Sequence, residues 1–118
     1  MKVLYVDDEA DIRTIASMAL ELDPDFEVRT EASGAAAVAW HPDAILLDVM
    51  MPSMDGPTTL SKLRQNAETR GIPVIFITAR AQAQHELKHF ISLGALDVIT
   101  KPFDPMSLAA AVKRRIKP

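Results

Sequence analysis

An α/β fold, with a five-stranded parallel sheet between helices on both faces, follows from how apolar runs and amphipathic segments alternate along this 118-residue chain. The apolar runs are short and continuous, as strands buried on both sides require. A segment with helical spacing follows each of them, and Gly, Pro or Asp punctuates the junctions. Hydrophobic residues make up 48% of the chain, enough for one core at this length, so a single domain over 1–118 is expected.

Val3-Leu4-Tyr5-Val6 reads as the first strand, stopped by Asp7-Asp8. Residues 10 to 22 place Ile12, Ile15, Ala16, Ala19 and Leu22 on one helical face, and Asp23-Pro24-Asp25 breaks that helix. Phe26 to Thr30 is the second strand. Ser33-Gly34 opens a short alanine-rich helix to about Trp40, which His41-Pro42 ends. Ala44 to Leu47 is the third strand, closed by Asp48. Pro57 starts a helix carrying Leu60 and Leu63. Pro73 to Ile77 is the fourth strand, closed by Thr78. Residues 82 to 93 form a helix with Gly94 behind it. Leu96 to Thr100 is the fifth strand, closed by Lys101-Pro102. Asp104-Pro105 begins the last helix, with Leu108, Val112 and Ile116 inward. No linker, repeat or low-complexity stretch interrupts this order.

Composition narrows the function classes. There is no cysteine, which excludes disulfides and thiolate metal sites. No apolar run has the length of a membrane span. MKVLYVDDE reaches acidic residues too early for a signal peptide, so a cytoplasmic location is expected. The net charge of −3 argues against nucleic acid as the main partner. Lys113, Arg114, Arg115 and Lys117 fall at a predicted helix C-terminus, where cations suit the helix dipole.

Right-handed crossovers bring all strand C-termini to one edge, and open α/β sheets bind ligands beyond that edge. The exits read Asp7-Asp8, Asp48, Thr78 and Lys101. Three clustered carboxylates repel and need a compensating cation. Mg²⁺ suits them as a hard, oxygen-seeking ion, and Lys101 adds a second positive charge. A carboxylate in such a setting can attack phosphorus and become an acyl phosphate. Taken singly, each residue has a plainer reading: Asp7 and Asp8 as caps, Thr78 as a turn residue, Lys101 as a solvated cation. Asp48 resists that treatment, because uncompensated charge at the end of a buried strand is costly. Agreement among the four exits makes the case.

One other motif calls for metal. His85-Glu86-Leu87-Lys88-His89 spells H-E-x-x-H, which on a helix can hold catalytic zinc. At 100° per residue, Leu87, Phe90 and Ile91 define the inward side and both histidines point toward solvent. A zinc enzyme needs a third protein ligand, yet no His or Glu follows Phe90, and Ser92 stands where one zincin group has glycine. Two solvated histidines on a surface helix are the preferred reading.

Residues 3–9 (VLYVDDE), 45–56 (ILLDVMMPSMDG), 75–79 (IFITA) and 100–103 (TKPF) together resemble the response regulator receiver domain of two-component signalling, in order and across the whole chain. The resemblance implies a flavodoxin-like three-layer (βα)5 sandwich with strand order 2-1-3-4-5. It implies that Asp48 takes a phosphoryl group from a phosphohistidine on a sensor histidine kinase or phosphotransfer protein. Asp8 and Asp48 would ligate Mg²⁺ with the Met50 carbonyl, and Asp7 would act mainly through a metal-bound water. Lys101 would pair with the phosphoryl oxygens and precede a cis bond to Pro102. Thr78 would move to the phosphoryl group and bias a two-state surface, about residues 82 to 116, made of the last two helices and the strand between them. That face would dock a downstream protein. The domain would be a monomer or a dimer formed on phosphorylation, without direct nucleic-acid or membrane binding.

The chain departs from the family pattern at Val98, where receivers usually carry Tyr or Phe three residues before the lysine, and in a second helix about one turn short. Either the switch is weaker, or Phe103 or Phe90 reports the change. Met50 and Arg80 occupy the two positions that tend to set phosphoryl lifetime, and their bulk and charge imply a long-lived group. A different class remains open: an aspartate-nucleophile phosphatase of the haloacid dehalogenase type. Such enzymes resemble D-x-D, whereas Asp48-Val49-Met50 lacks the second aspartate. The expected chain is therefore a phosphoacceptor that catalyses only its own phosphorylation, either free-standing or part of a longer protein.

Overall fold

The computed structural model describes residues 1–35, 39–51 and 55–116. Five strands form one parallel sheet in the order β2-β1-β3-β4-β5. They are β1 (Lys2–Val6), β2 (Glu27–Glu31), β3 (Ala44–Asp48), β4 (Val74–Ala79) and β5 (Asp97–Lys101). Among the described residues, four helices with defined bounds lie between and after them: α1 (Ala10–Leu20), α2 (Gly56–Gln65), α3 (Arg80–Ser92) and α4 (Leu108–Ile116). Residues 39 and 40 are helical. Of the short helix expected from Ser33-Gly34 to Trp40, residues 33–35 form a bend and turn instead, and 36–38 lie outside the described residues, as do 52–54 of the MMPSMDG stretch.

The pleat sends alternate residues of each strand to opposite faces. Leu4, Val6, Ile45, Leu47 and Phe76 pack with Leu60 and Leu63 of α2 and Ala83 and Phe90 of α3. Val3, Tyr5, Leu46, Ile75 and Ile77 pack with Ala16 and Leu20 of α1 and with Leu108 and Val112 of α4. Two cores thus sandwich one sheet, and each fully buried Leu or Ile contributes roughly 1.5–3 kcal/mol. The central strands β1, β3 and β4 carry the continuous apolar runs. The edge strand β2 is half exposed, and its Glu27, Arg29 and Glu31 discourage pairing with another sheet.

The helix ends are specified locally. Asp55 caps α2, accepting from the Thr58 N–H at 2.9 Å. At the end of α3, Gly94 adopts φ 108°, Gly94 N–H donates to the Ile91 carbonyl at 3.0 Å, and Ala95 N–H donates to Phe90 at 3.2 Å. That is a Schellman closure, which favours glycine at the left-handed position.

Two helical faces differ from the sequence expectation. Ile15 and Leu22, expected inward, are 43% and 57% exposed; α1 ends at Leu20, before Leu22, and buries Ala16 and Ala19 as expected, with Leu20 beside them. On α3, Leu87 and Ile91 are both 43% exposed, and Ala83 and Phe90 face the core. An apolar stripe wider than the contact it makes leaves its flanks in water, and periodicity does not say which part is covered. Also, α3 starts at Arg80 instead of residue 82.

Candidate functional site

Register builds the site. Val6 pairs with Leu47, so the next residues, Asp7 and Asp48, emerge side by side. Asp48 pairs with Ile77, which puts Thr78 one step further on. Thr78 pairs with Thr100, which puts Lys101 one step beyond. Gly56 lets α2 start against this edge: its N–H donates to Val49 at 2.9 Å, and a Cβ there would lie 2.9 Å from the Asp48 carbonyl oxygen.

The carboxylates of Asp7, Asp8 and Asp48 offer oxygen atoms within 4.8 Å of one another. Asp7 is fully buried and Asp48 nearly so, while Asp8 is exposed. Lys101 Nζ lies 2.8 Å from Asp7 Oδ2 and 3.4 Å from Asp48 Oδ1. The two buried acids are bonded very differently. Asp7 Oδ1 accepts from the Glu9 N–H at 3.0 Å, and its Oδ2 accepts from the Tyr5 hydroxyl at 3.2 Å and from Lys101. Asp48 accepts a 3.3 Å bond from the Met50 N–H and has the longer lysine pairing.

Burial, followed by the Asp7 charge, pushes the Asp48 carboxyl up to about 6, although Lys101 and the Met50 N–H pull the other way. Burial also pushes the Tyr5 hydroxyl up, and Asp7 adds to it. Burial draws Lys101 down, but the Asp7 hydrogen bond and the two carboxylates outweigh it and hold the ammonium above its ordinary value. One lysine does not neutralise three carboxylates. A donor set of three carboxylates suits a hard divalent ion such as Mg²⁺, so the residues present fit one.

Every strand-exit residue expected from the sequence is at this edge. Thr78, 1% exposed, donates its hydroxyl to Gln82 Oε1 at 3.0 Å. Met50 carries its side chain at the rim, 65% exposed. The Lys101–Pro102 bond is cis, as expected. The His85 and His89 pair is exposed on α3. Among the described residues, the acidic cluster is the one group of three or more His, Cys, Asp or Glu placed to hold a metal.

Tyr5 and Gln82 were missed from sequence. Tyr5 carried a signal, since residues two apart on a strand share a face and Asp7 lies two beyond it. Gln82 lies four residues past Thr78, at the third position of α3, and only the turn between β4 and α3 brings them together.

Residues 3–113 match the response regulator receiver domain family. The chain belongs to that family. It is 38% identical to the phosphate regulon transcriptional regulatory protein PhoB of Escherichia coli, with 99% of this chain and 53% of that protein covered. It is 37% identical to the DNA-binding dual master transcriptional regulator RpaA of Synechocystis, covering 98% of this chain and 49% of that protein. The chain therefore spans about half the length of these curated relatives. Among solved structures, the chemotaxis protein CheY4 of Vibrio cholerae superposes with a TM-score of 0.83 at 32% identity, covering 96% of each chain. The NtrX receiver domain of Brucella abortus gives 0.83 at 28% identity, covering 98% of each. Receiver folds are signalling modules, and nothing in these similarities supports a phosphatase or a zinc peptidase. No described helix of this receiver is long and apolar enough to cross a membrane.

Val98, the departure from the receiver pattern, is buried at 9% exposure in the core beneath α2 and α3. Phe90 stacks edge-on with Phe76 at 5.0 Å, and Phe103 meets Tyr5 at 6.4 Å.

Proposed function

We propose that this receiver, a domain over 1–118, accepts a phosphoryl group on Asp48. The observation that carries the reading is the unequal bonding of the two buried carboxylates. Asp7 has its oxygens committed to Glu9, Tyr5 and Lys101, whereas Asp48 keeps lone pairs uncommitted at the open edge. An oxygen that already accepts two close donors is a poor nucleophile, so Asp48 is the acceptor and Asp7 the anchor.

An Asp48 oxygen forms the new O–P bond as the P–N bond of a phosphohistidine breaks, and the imidazole nitrogen keeps that electron pair. The donor is a sensor histidine kinase or a phosphotransfer protein. Asp7, Asp8 and Asp48, with the Met50 carbonyl, would hold Mg²⁺, which supplies charge neutralisation to the phosphoryl oxygens. Lys101, already between Asp7 and Asp48, offsets charge on the acyl phosphate. Thr78 donates its hydroxyl to a phosphoryl oxygen. The chain turns over no outside substrate. Its output is a shift of α3, β5 and α4, where exposed Leu87 and Ile91 of α3 and Leu96 just before β5 offer apolar contacts to a downstream protein. The setting is cytoplasmic, and the domain is a monomer or a phosphorylation-dependent dimer.

The test is intact mass after incubation with Mg²⁺ and acetyl phosphate, beside Asp48→Ala. One phosphoryl adduct, dependent on Mg²⁺ and absent from the variant, is expected. No adduct here, and none from a phosphorylated histidine kinase, would refute the reading.

A further inference from the structure

A threonine hydroxyl has one proton to give. Here Thr78 gives it to Gln82 Oε1 at 3.0 Å, in a site where the threonine is 1% exposed and shielded from water. The Gln82 amide nitrogen faces Met50 Sδ at 3.8 Å, and the Met50 N–H donates to Asp48 Oδ1 at 3.3 Å. These contacts form a chain from the acceptor carboxylate, across the rim, to the threonine.

Gln82 also sits in the first turn of α3, which lacks a side-chain cap. The residue before the helix is Ala79, which makes no side-chain cap. Alanine is among the poorest residues for that position. A Gln at the third helical position commonly turns back on the cap residue's own N–H. Gln82 turns to Thr78 instead, so the first turn of α3 is tied to the sheet by the Thr78 bond and to the end of β3 by the methionine contact.

We propose that Gln82 is a positioning residue for phosphoryl acceptance, holding Thr78 away from the acceptor until a phosphoryl group takes its proton. This rests on Asp48 being the acceptor. One proton serves Gln82 or the phosphoryl group, never both. Hydrogen bonds to a charged oxygen are about twice as strong as neutral ones, so the phosphoryl group wins once present. Gln82 then loses its donor, and the first turn of α3 loses its tie to the sheet. Val98 has no ring to swing, and this exchange gives the site another route to the same helix.

The experiment measures phosphorylation rates by acetyl phosphate with Mg²⁺, by intact mass, for wild type, Gln82→Leu, Gln82→Glu, Thr78→Val and the Gln82→Leu/Thr78→Val double variant. Gln82 lies at the rim, so folding is not at stake, and thermal melts check it. Releasing a neutral hydrogen bond should speed Gln82→Leu about twofold to tenfold. Gln82→Glu keeps an acceptor for Thr78 and should show no acceleration. In the Thr78→Val background, Gln82→Leu should change nothing. Amide exchange over 80–92 should already be faster in unphosphorylated Gln82→Leu, as in phosphorylated wild type. An equal or slower Gln82→Leu rate, an accelerated Gln82→Glu, or the same effect without the threonine hydroxyl each overturns the proposal. A wild type that takes no adduct overturns the acceptor reading and this one with it. A wild type that does, with an unmoved Gln82 series, overturns this one alone.

Discussion

Replacing Asp48 with asparagine should make the metal-free protein more stable at neutral pH. Asp48 is 3% exposed, beside fully buried Asp7, with one lysine between them. Its carboxyl is pushed from 3.8 up to about 6, by burial first and the Asp7 charge second. A raised carboxyl means that the folded state holds the proton more tightly than the unfolded chain does. The penalty is absent below about pH 4, develops between about 4 and 6, and is complete above that. At about 1.36 kcal/mol per pH unit it amounts to something on the order of 3 kcal/mol. Asparagine removes the charge and keeps the shape; the 3.4 Å lysine pairing is already netted into that value, and the remaining cost is burial of the amide. A net gain of about 1–3 kcal/mol at pH 7.5 remains. For a domain of this size that raises the melting temperature by roughly 5–15 °C. The assay is urea unfolding in EDTA at pH 7.5 and at pH 4, with wild type and variant in parallel. The gain should be present at pH 7.5 and nearly gone at pH 4. A variant less stable than wild type at pH 7.5, or an equal gain at both pH values, would show that Asp48 is not a strained charge.

Gly56→Ala should destabilise the domain by about 1–3 kcal/mol, even though alanine is the better helix former by about 1 kcal/mol. Its Cβ would stand 2.9 Å from both the Asp48 carbonyl oxygen and the Val49 Cα, which are backbone atoms with little room to move. An unchanged urea midpoint would count against that close approach. Arg80→Ala should shorten the life of the Asp48 phosphate severalfold, because Arg80 opens α3 as an exposed long cation able to obstruct an attacking water. Acid-quenched time points read by intact mass measure the half-life, and an equal or longer one in the variant rules the arginine out.

The strands were legible because the sheet is covered on both sides. VLYV, AILL and VIFI are continuous apolar runs with charged or hydroxyl exits, and only central parallel strands need both features. The helix faces were less legible. Ile15, Leu22, Leu87 and Ile91 fit the inward stripes by spacing, yet each stands well exposed. A helical wheel reports where apolar residues lie, not what covers them. The start of α3 was missed by two residues because Ala79 offers none of the usual capping chemistry.

The site divides along the same line. Asp7, Asp48, Thr78 and Lys101 were readable because parallel register brings strand exits together whatever the loops do. How their hydrogen bonds are shared was not, since that depends on which donors surround each oxygen. Two neighbouring aspartates look equivalent in sequence. The Tyr5 hydroxyl, reaching Asp7 from beneath the sheet edge, helps to make them unequal. Together with Lys101 and the Glu9 N–H it satisfies the deeper carboxylate and holds it in place. Like-charge repulsion and burial fall on Asp48, where a bound cation can relieve them. The strain falls on the carboxylate proposed as the acceptor, and Tyr5 of β1 supplies part of the bonding that leaves it there.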